Sequence, residues 1–223
     1  MMKTTIAACL AAALLMAGCS SAPPPPDWKM NAVGQLEHFQ ARWLEGDTRA
    51  ADLALAKSRA ELARSGRLDL LARLELAACG TRAAALDFTA CAAYAPLASE
   101  AAPADRAYAR FLGGAWDGLD GGLLPPRYAD LVAAREDTGA NRAVAGIQDP
   151  LSRLIAAGLL LRQGRAGPET LAMAVDTASE RGWRRPLLTW LEVQLRRARD
   201  AGDADAIRHL QRRIDLVEGK TRP

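Results

Sequence analysis

Apolar residues recur three or four positions apart along nearly the whole of this 223-residue chain, and no stretch alternates them with the period of two that a half-buried strand needs. That spacing, cut at short intervals by Gly-Asp pairs, glycines and prolines, predicts an all-α fold. Leu36, Phe39 and Trp43 mark a first helix that Gly46-Asp47 ends, and Ala51, Leu55, Ser58 and Leu62 mark a second, ended near Ser65-Gly66. Leu70, Leu71, Leu74 and Ala78 mark a third, and Phe88, Cys91 and Ala95 a fourth that Pro96 kinks or ends. Tyr108, Phe111, Leu112 and Trp116 form an aromatic stripe, and Leu124, Tyr128 and Leu131 begin a further helix.

The C-terminal part is punctuated most sharply. Asp149-Pro150 is an N-cap followed by proline at the first helical position; it opens a helix lined by Leu151, Leu154, Ile155 and Leu159 and closed at Gln163-Gly164. Pro168 opens the next, with Leu171, Val175 and Ala178 inward and Gly182 as its stop. Pro186 opens another, with Leu187, Leu188, Leu191 and Leu195 facing the core, and Gly202-Asp203 turns the chain into a last helix carrying Ile207, Leu210, Ile214 and Val217. Turns this short join antiparallel neighbours, so the expected architecture is antiparallel helix hairpins in an array or bundle. Abundant alanine with only 5% aromatic residues suits thin, closely packed helices. The glycine- and proline-rich stretch 118–126 (GLDGGLLPP) is expected to hinge N-terminal hairpins in 31–117 against C-terminal hairpins in 127–223.

Gly46-Asp47 followed by Ala50, Ala51, Ala54 and Ser58 aligns with Gly202-Asp203 followed by Ala206, Ile207, Leu210 and Ile214. The pattern resembles the inter-helix turn and second helix of a tetratricopeptide repeat, which implies a helix-hairpin array. The Trp, Leu-Gly and Tyr of that repeat's first helix are missing, and no proline closes a regular period. Gly182 to Leu188 (GWRRPLL) resembles a segment of helical proteobacterial lipoproteins and brings no activity with it.

Residues 1–19 read MMKTTIAACLAAALLMAGC. Lys3 precedes an apolar run, Ile6 to Ala17, of the length of a signal-peptide core and short of the roughly 20 residues a bilayer span takes. Ala17 and Gly18 directly before Cys19 resemble the bacterial lipobox, with Met16 where leucine is commoner. The resemblance implies that the signal 1–18 is removed and that Cys19 carries diacylglycerol on its sulphur and an acyl chain on its new amino terminus. Several chains give firm anchoring. Ser20, a non-aspartate, implies by the enteric sorting rule an outer-membrane protein on the leaflet facing the periplasm. Ordinary cleavage, leaving Cys19 a spare thiol, is the alternative. Residues 19–30 then hold the lipidated cysteine and a proline-rich tether. Four consecutive prolines favour polyproline II and set the folded part roughly 25 Å from the membrane.

Of the four cysteines, Cys9 leaves with the signal and Cys19 takes lipid, so Cys79 and Cys91 remain in a compartment that permits disulfides. They are expected to pair across a short connection between antiparallel helices, a closure worth about 3 kcal/mol in the chain-entropy model. Two buried free thiols are the alternative, while a metal pair lacks nearby His or Cys.

Reactive constellations are scarce. His38 and His209 lie far apart, neither in a His-Glu-x-x-His run, and both read as helix-boundary residues. The chain has no Gly-x-Ser-x-Gly elbow, Ser-x-x-Lys pair, P-loop, dinucleotide fingerprint or transglycosylase-like Glu-Ser pair. No enzymatic activity, cofactor or metal is expected. Trp183, Arg184 and Arg185 offer a candidate ligand or partner surface, because an aromatic beside two guanidinium groups can stack on rings and bind carboxylate or phosphate bidentately. The simpler reading has Trp183 capping the preceding helix pair and both arginines solvated. From Arg181 onward eleven Lys and Arg stand against six Asp and Glu, a face suited to lipid headgroups, lipopolysaccharide or peptidoglycan, or to plain water. The formal net charge of +3 is too near balance to imply nucleic acid. Two functions fit: a lipid-anchored adaptor that docks an envelope protein partner on a grooved helical surface, or a module that binds an anionic cell-wall or lipid ligand through Trp183 to Arg185.

Overall fold

The computed structural model describes residues 24–89 and 91–220; Cys19, the signal and the start of the tether lie outside them. Within these residues the chain is all-α, ten α-helices with three short 3-10 turns and no strand. Helix α1 (Asp27–Glu45) starts directly after the exposed Pro24–Pro26, with Asp27 placing negative charge in its first turn. Gly46 ends it with a left-handed φ of 99° that leaves its own N–H and that of Asp47 free to bond the carbonyl of Arg42. The Asp47 carboxylate then accepts from the Ala50 N–H and starts α2 (Thr48–Ala63). Gly202-Asp203 makes the same turn, with φ 69° at Gly202 and the Asp203 side chain capping on the Ala206 N–H. The two Gly-Asp pairs aligned in the sequence therefore do one job: the glycine stops a helix and the aspartate starts its antiparallel neighbour.

Helix α3 (Leu68–Ala83) is the hub. It packs against α1, α2, α4 (Pro103–Leu112) and α7 (Pro150–Arg162), and is buried on more than one face. Two glycines let its neighbours close in. A side chain on Gly158 of α7 would come within 2.7 Å of the Ala83 carbonyl, and one on Gly80 within 2.7 Å of the Tyr108 hydroxyl. Its buried Glu75 is clamped bidentately by Arg59 at 2.6 and 2.8 Å, and the buried Asp105 of α4 by Arg73 at 3.0 and 3.1 Å.

The fourth helix expected around Phe88, Cys91 and Ala95 does not form as an α-helix. After Ala83 the chain turns through Leu86 at φ 58°, and the Asp87 carboxylate accepts from both the backbone and the hydroxyl of Thr89. That local turn competes with helix, and Pro96 lies in a 3-10 turn (Ala95–Leu97). Cys91 nonetheless comes back to α3: its Cα is 5.7 Å from that of Cys79, and the sulphurs stand at disulfide distance.

Trp116 lies beyond the end of α4 but folds back to stack on Phe111 with ring centres 5.4 Å apart. Within the stretch 118–126 Leu124 is buried, and two 3-10 turns (Gly121–Leu123 and Pro126–Tyr128) carry the chain into α5 (Ala129–Ala133). Helix α6 (Asp137–Gly146) follows, and then α7, α8 (Pro168–Glu180), α9 (Arg184–Asp200) and α10 (Ala204–Val217) run as antiparallel neighbours. One hydrophobic core runs through both halves. Fully buried Trp190 of α9 donates its indole N–H to the Ala84 carbonyl, and Arg185 reaches the end of α1.

Candidate functional site

Open space gathers around α6. Its sequence, DTGANRAVAG, buries only Ala140 and Val144, and the helix is held largely by polar bonds. The Asn141 amide donates to the carbonyls of Asp137 and Arg165 and accepts from the Gly167 N–H and the Thr170 hydroxyl, so both its donors and its acceptor oxygen are used. Arg165 adds bonds to the Asp137 carboxylate and to the carbonyls of Ala134 and Arg135. Small residues on α6 leave a groove along each of two faces. One, of about 800 Å³, runs past Ala133, Gly139, Ala143 and Gly146; the other, of about 810 Å³, runs past Thr138, Asn141, Ala145 and Met173. Arg142 borders both.

The first groove ends at Arg127 and Asp149, and the same two residues border a separate pocket of about 350 Å³. Five segments supply that pocket's polar groups: Gln40 from α1, Thr81 from α3, Tyr108 from α4, Tyr128 just before α5, and Ser152 from α7. Arg127 Nη1 donates to Ser152 Oγ at 2.9 Å and is only loosely paired with Asp149 at 3.5 Å. Asp149 itself caps α7 through the Ser152 N–H at 2.8 Å. The rings of Tyr128, Phe111 and Tyr108 form a three-way cluster, with centres 4.6 Å (Tyr128–Phe111), 5.9 Å (Tyr108–Phe111) and 6.2 Å (Tyr108–Tyr128) apart. Burial pushes both phenols above their usual pKa, Tyr108 most strongly, so both stay protonated at neutral pH.

The residues singled out by sequence reasoning fall elsewhere. Trp183 is half-buried against the core with the Arg181 guanidinium 5.5 Å from its ring centre. Arg184 donates to the Val217 carbonyl at the end of α10, whereas Arg185 donates to the Trp43 carbonyl and the Thr48 hydroxyl. The two guanidinium groups thus turn to different ends of the molecule and do not converge with Trp183 on one space. His38 and His209 are exposed. No group of three or more His, Cys, Asp or Glu among the described residues is placed to hold a metal ion, and no helix there is long and apolar enough to cross a membrane. Sequence reasoning missed α6 and the pocket's convergence; Tyr108 and Tyr128 were visible only as helix-face aromatics. Comparison with protein-family models, with curated proteins and with solved structures finds no match to this chain.

Proposed function

We propose that this chain is a lipid-anchored cell-envelope adaptor, held through Cys19 to the outer membrane's periplasmic leaflet, that docks a segment of a partner protein along α6 without catalysing a reaction. The observation that carries this reading is the pair of open grooves on α6, each near 800 Å³ and floored by alanine and glycine. They are lined by both signs of charge, Arg142 and Arg165 against Asp130, Asp137 and Glu169, which suits a polypeptide better than a highly charged ligand. The buried carboxylates Glu75 and Asp105 are each engaged by an arginine, which fits structural anchoring better than proton transfer. The binding of an anionic wall or lipid ligand through Trp183, Arg184 and Arg185 is the weaker reading, since both arginines already hold internal carbonyls.

The test places a photo-crosslinking amino acid at Ala145 or Arg142 in the full-length protein expressed in envelopes, with exposed Leu53 of α2 as control. The same partner captured from both α6 positions and not from Leu53 is expected; capture from Leu53 alone, or none from α6, would count against the adaptor. Mass analysis of the mature amino terminus checks the anchor separately, and an unmodified Cys19 thiol would remove it.

A further inference from the structure

Short turns join α1 to α2 and α2 to α3, so the start of α1, the end of α2 and the start of α3 share one end of the molecule. There the Ser58 hydroxyl of α2 donates to the Ala32 carbonyl of α1 at 2.8 Å. Beside that bond lies a slot of about 180 Å³ lined by Ala32, Val33, Leu36, Leu62, Leu70 and Leu74. The stems of Lys29 and Arg73 complete its walls, and the Arg73 guanidinium is turned away onto Asp105. With the Ser58 hydroxyl spent on Ala32, the slot offers hydrocarbon and little to a polar ligand. It is smaller than the roughly 300 Å³ at which small-ligand sites begin, and suits the end of a thin apolar chain.

The surface around the slot is apolar as well. Six large apolar side chains stand exposed among the described residues, and three of them, Met30, Val33 and Leu68, belong to this end. Four arginines of the same end are already paired: Arg59 with Glu75, Arg64 with Glu61, Arg67 with Asp69 and Arg73 with Asp105. That balance leaves apolar contact, not charge, as the main attraction this end can exert. Trp28 and Lys29 stand in the first turn of α1, the indole half-buried and the lysine exposed. An indole and a long amine are the side chains that settle where lipid meets water, each with an apolar body and a polar tip.

Position along the chain says what covers this end. Asp27, where α1 begins, is eight residues beyond Cys19, a stretch that reaches at most about 29 Å and sets no lower limit on the distance. A lipid on Cys19 therefore holds this end of the fold, ahead of every other, beside the bilayer. We propose that the α1–α3 end rests on the bilayer that holds Cys19, with Met30, Val33 and Leu68 among the lipid chains and the slot taking the end of one phospholipid acyl chain. The proposal rests on the anchor at Cys19 and adds the face that the anchored protein turns to the membrane. No residue of the slot borders the α6 grooves, so the contact leaves them open to a partner.

The test reconstitutes the full-length protein, expressed with its lipid, into phosphatidylcholine vesicles, either plain or brominated on the acyl chains. A fluorescent amino acid replaces Val33, Leu68 or, as control, the exposed Leu53 near the start of α2. Flotation with the vesicles reports the anchor. Loss of emission in the brominated vesicles is expected at 33 and 68 and not at 53, and it should persist in high salt because the contact is apolar. Met30→Asp combined with Val33→Asp, both on exposed positions, should abolish the loss at 68 while the protein still floats and keeps its helical ellipticity. Floating protein with no loss at 33 and 68, with equal loss at 53, or with a loss at 68 that survives the double change would overturn the proposal and leave the anchor standing. Energy transfer between copies at 33 without quenching by lipid would assign this end to a second copy and likewise overturn it. Protein that does not float would remove the anchor and, with it, the contact that depends on it.

Discussion

The guanidinium of Arg185 sits 4.0 Å from the centre of the Trp43 ring while its Nε donates to the Trp43 carbonyl at 2.6 Å. Its Nη2 reaches the Thr48 hydroxyl at 2.7 Å, so one side chain caps α1, stacks on its last aromatic and ties α9 to the α1–α2 turn. Burial lowers its pKa from the usual arginine value, which measures the cost of drying the cation; the stacked ring and the carbonyl offset that cost.

Arg185→Ala is therefore expected to destabilise the protein by about 2–3 kcal/mol, from a charged hydrogen bond and a desolvated cation–π contact. Arg185→Lys should recover only part, because an ammonium cannot serve both acceptors and stack as a plane. Arg184→Ala, on an exposed side chain, should stay within about 0.5 kcal/mol. Urea unfolding of the full-length protein followed by tryptophan fluorescence checks the contrast, and equal effects at 184 and 185 would refute it.

The pairing of Cys79 with Cys91 should show as two thiols that resist alkylation until reductant is added. The bond closes a short loop onto the hub helix, with Phe88 beneath the Arg162 guanidinium at 5.3 Å. Replacing both cysteines by alanine should cost about 3 kcal/mol. Ready alkylation of both without reductant would show free thiols instead.

Much of the architecture was legible because it is local. Asp149-Pro150, Pro168 and the Gly-Asp pairs cap or start helices with their own atoms, so α7, α8 and α10 stand where the periodicity put them, while α9 begins at Arg184, two residues ahead of Pro186. What was illegible depends on partners distant in sequence. Helix α6 lacks a strong apolar stripe and relies on Asn141 and Arg165 bridging to segments 24 to 31 residues away. The fourth helix failed because Asp87 and Thr89 satisfied each other locally. The pocket needs Gln40, Thr81, Tyr108, Tyr128 and Ser152 from five separate segments, and no sequence window contains more than one of them. Trp190 escaped notice because its acceptor, the Ala84 carbonyl, lies 106 positions away.

Glycine positions give a sharper test of the packing. At Gly158 a methyl group would meet the backbone carbonyl of Ala83 at 2.7 Å, and backbone cannot swing aside. Gly158→Ala should cost about 1–3 kcal/mol, lowering Tm by several degrees. Gly34 of α1 has nothing within 4 Å, so Gly34→Ala should raise stability by about 0.5–1 kcal/mol through helix propensity. Thermal unfolding by circular dichroism reads both signs, and a neutral Gly158→Ala would show that α3 and α7 do not pack as closely as described.

The tyrosines set an alkaline limit. All three phenols have pKa values raised by burial, Tyr108 and Tyr128 most deeply enclosed. An acid whose folded-state pKa is raised contributes stability in full below its unfolded value of about 10, and loses it as pH climbs towards the folded value. Above about pH 10 the unfolded chain releases phenolic protons that the folded chain keeps, so every further step favours unfolding. Absorbance at 295 nm should therefore lag well behind that of free tyrosine near pH 11 while helical ellipticity persists, and then rise together with its loss. Tyr94, the least enclosed, should contribute whatever phenolate forms first. Three phenols titrating near pH 10 with the helices intact would mean that Tyr108 and Tyr128 face water and that their burial is wrongly described.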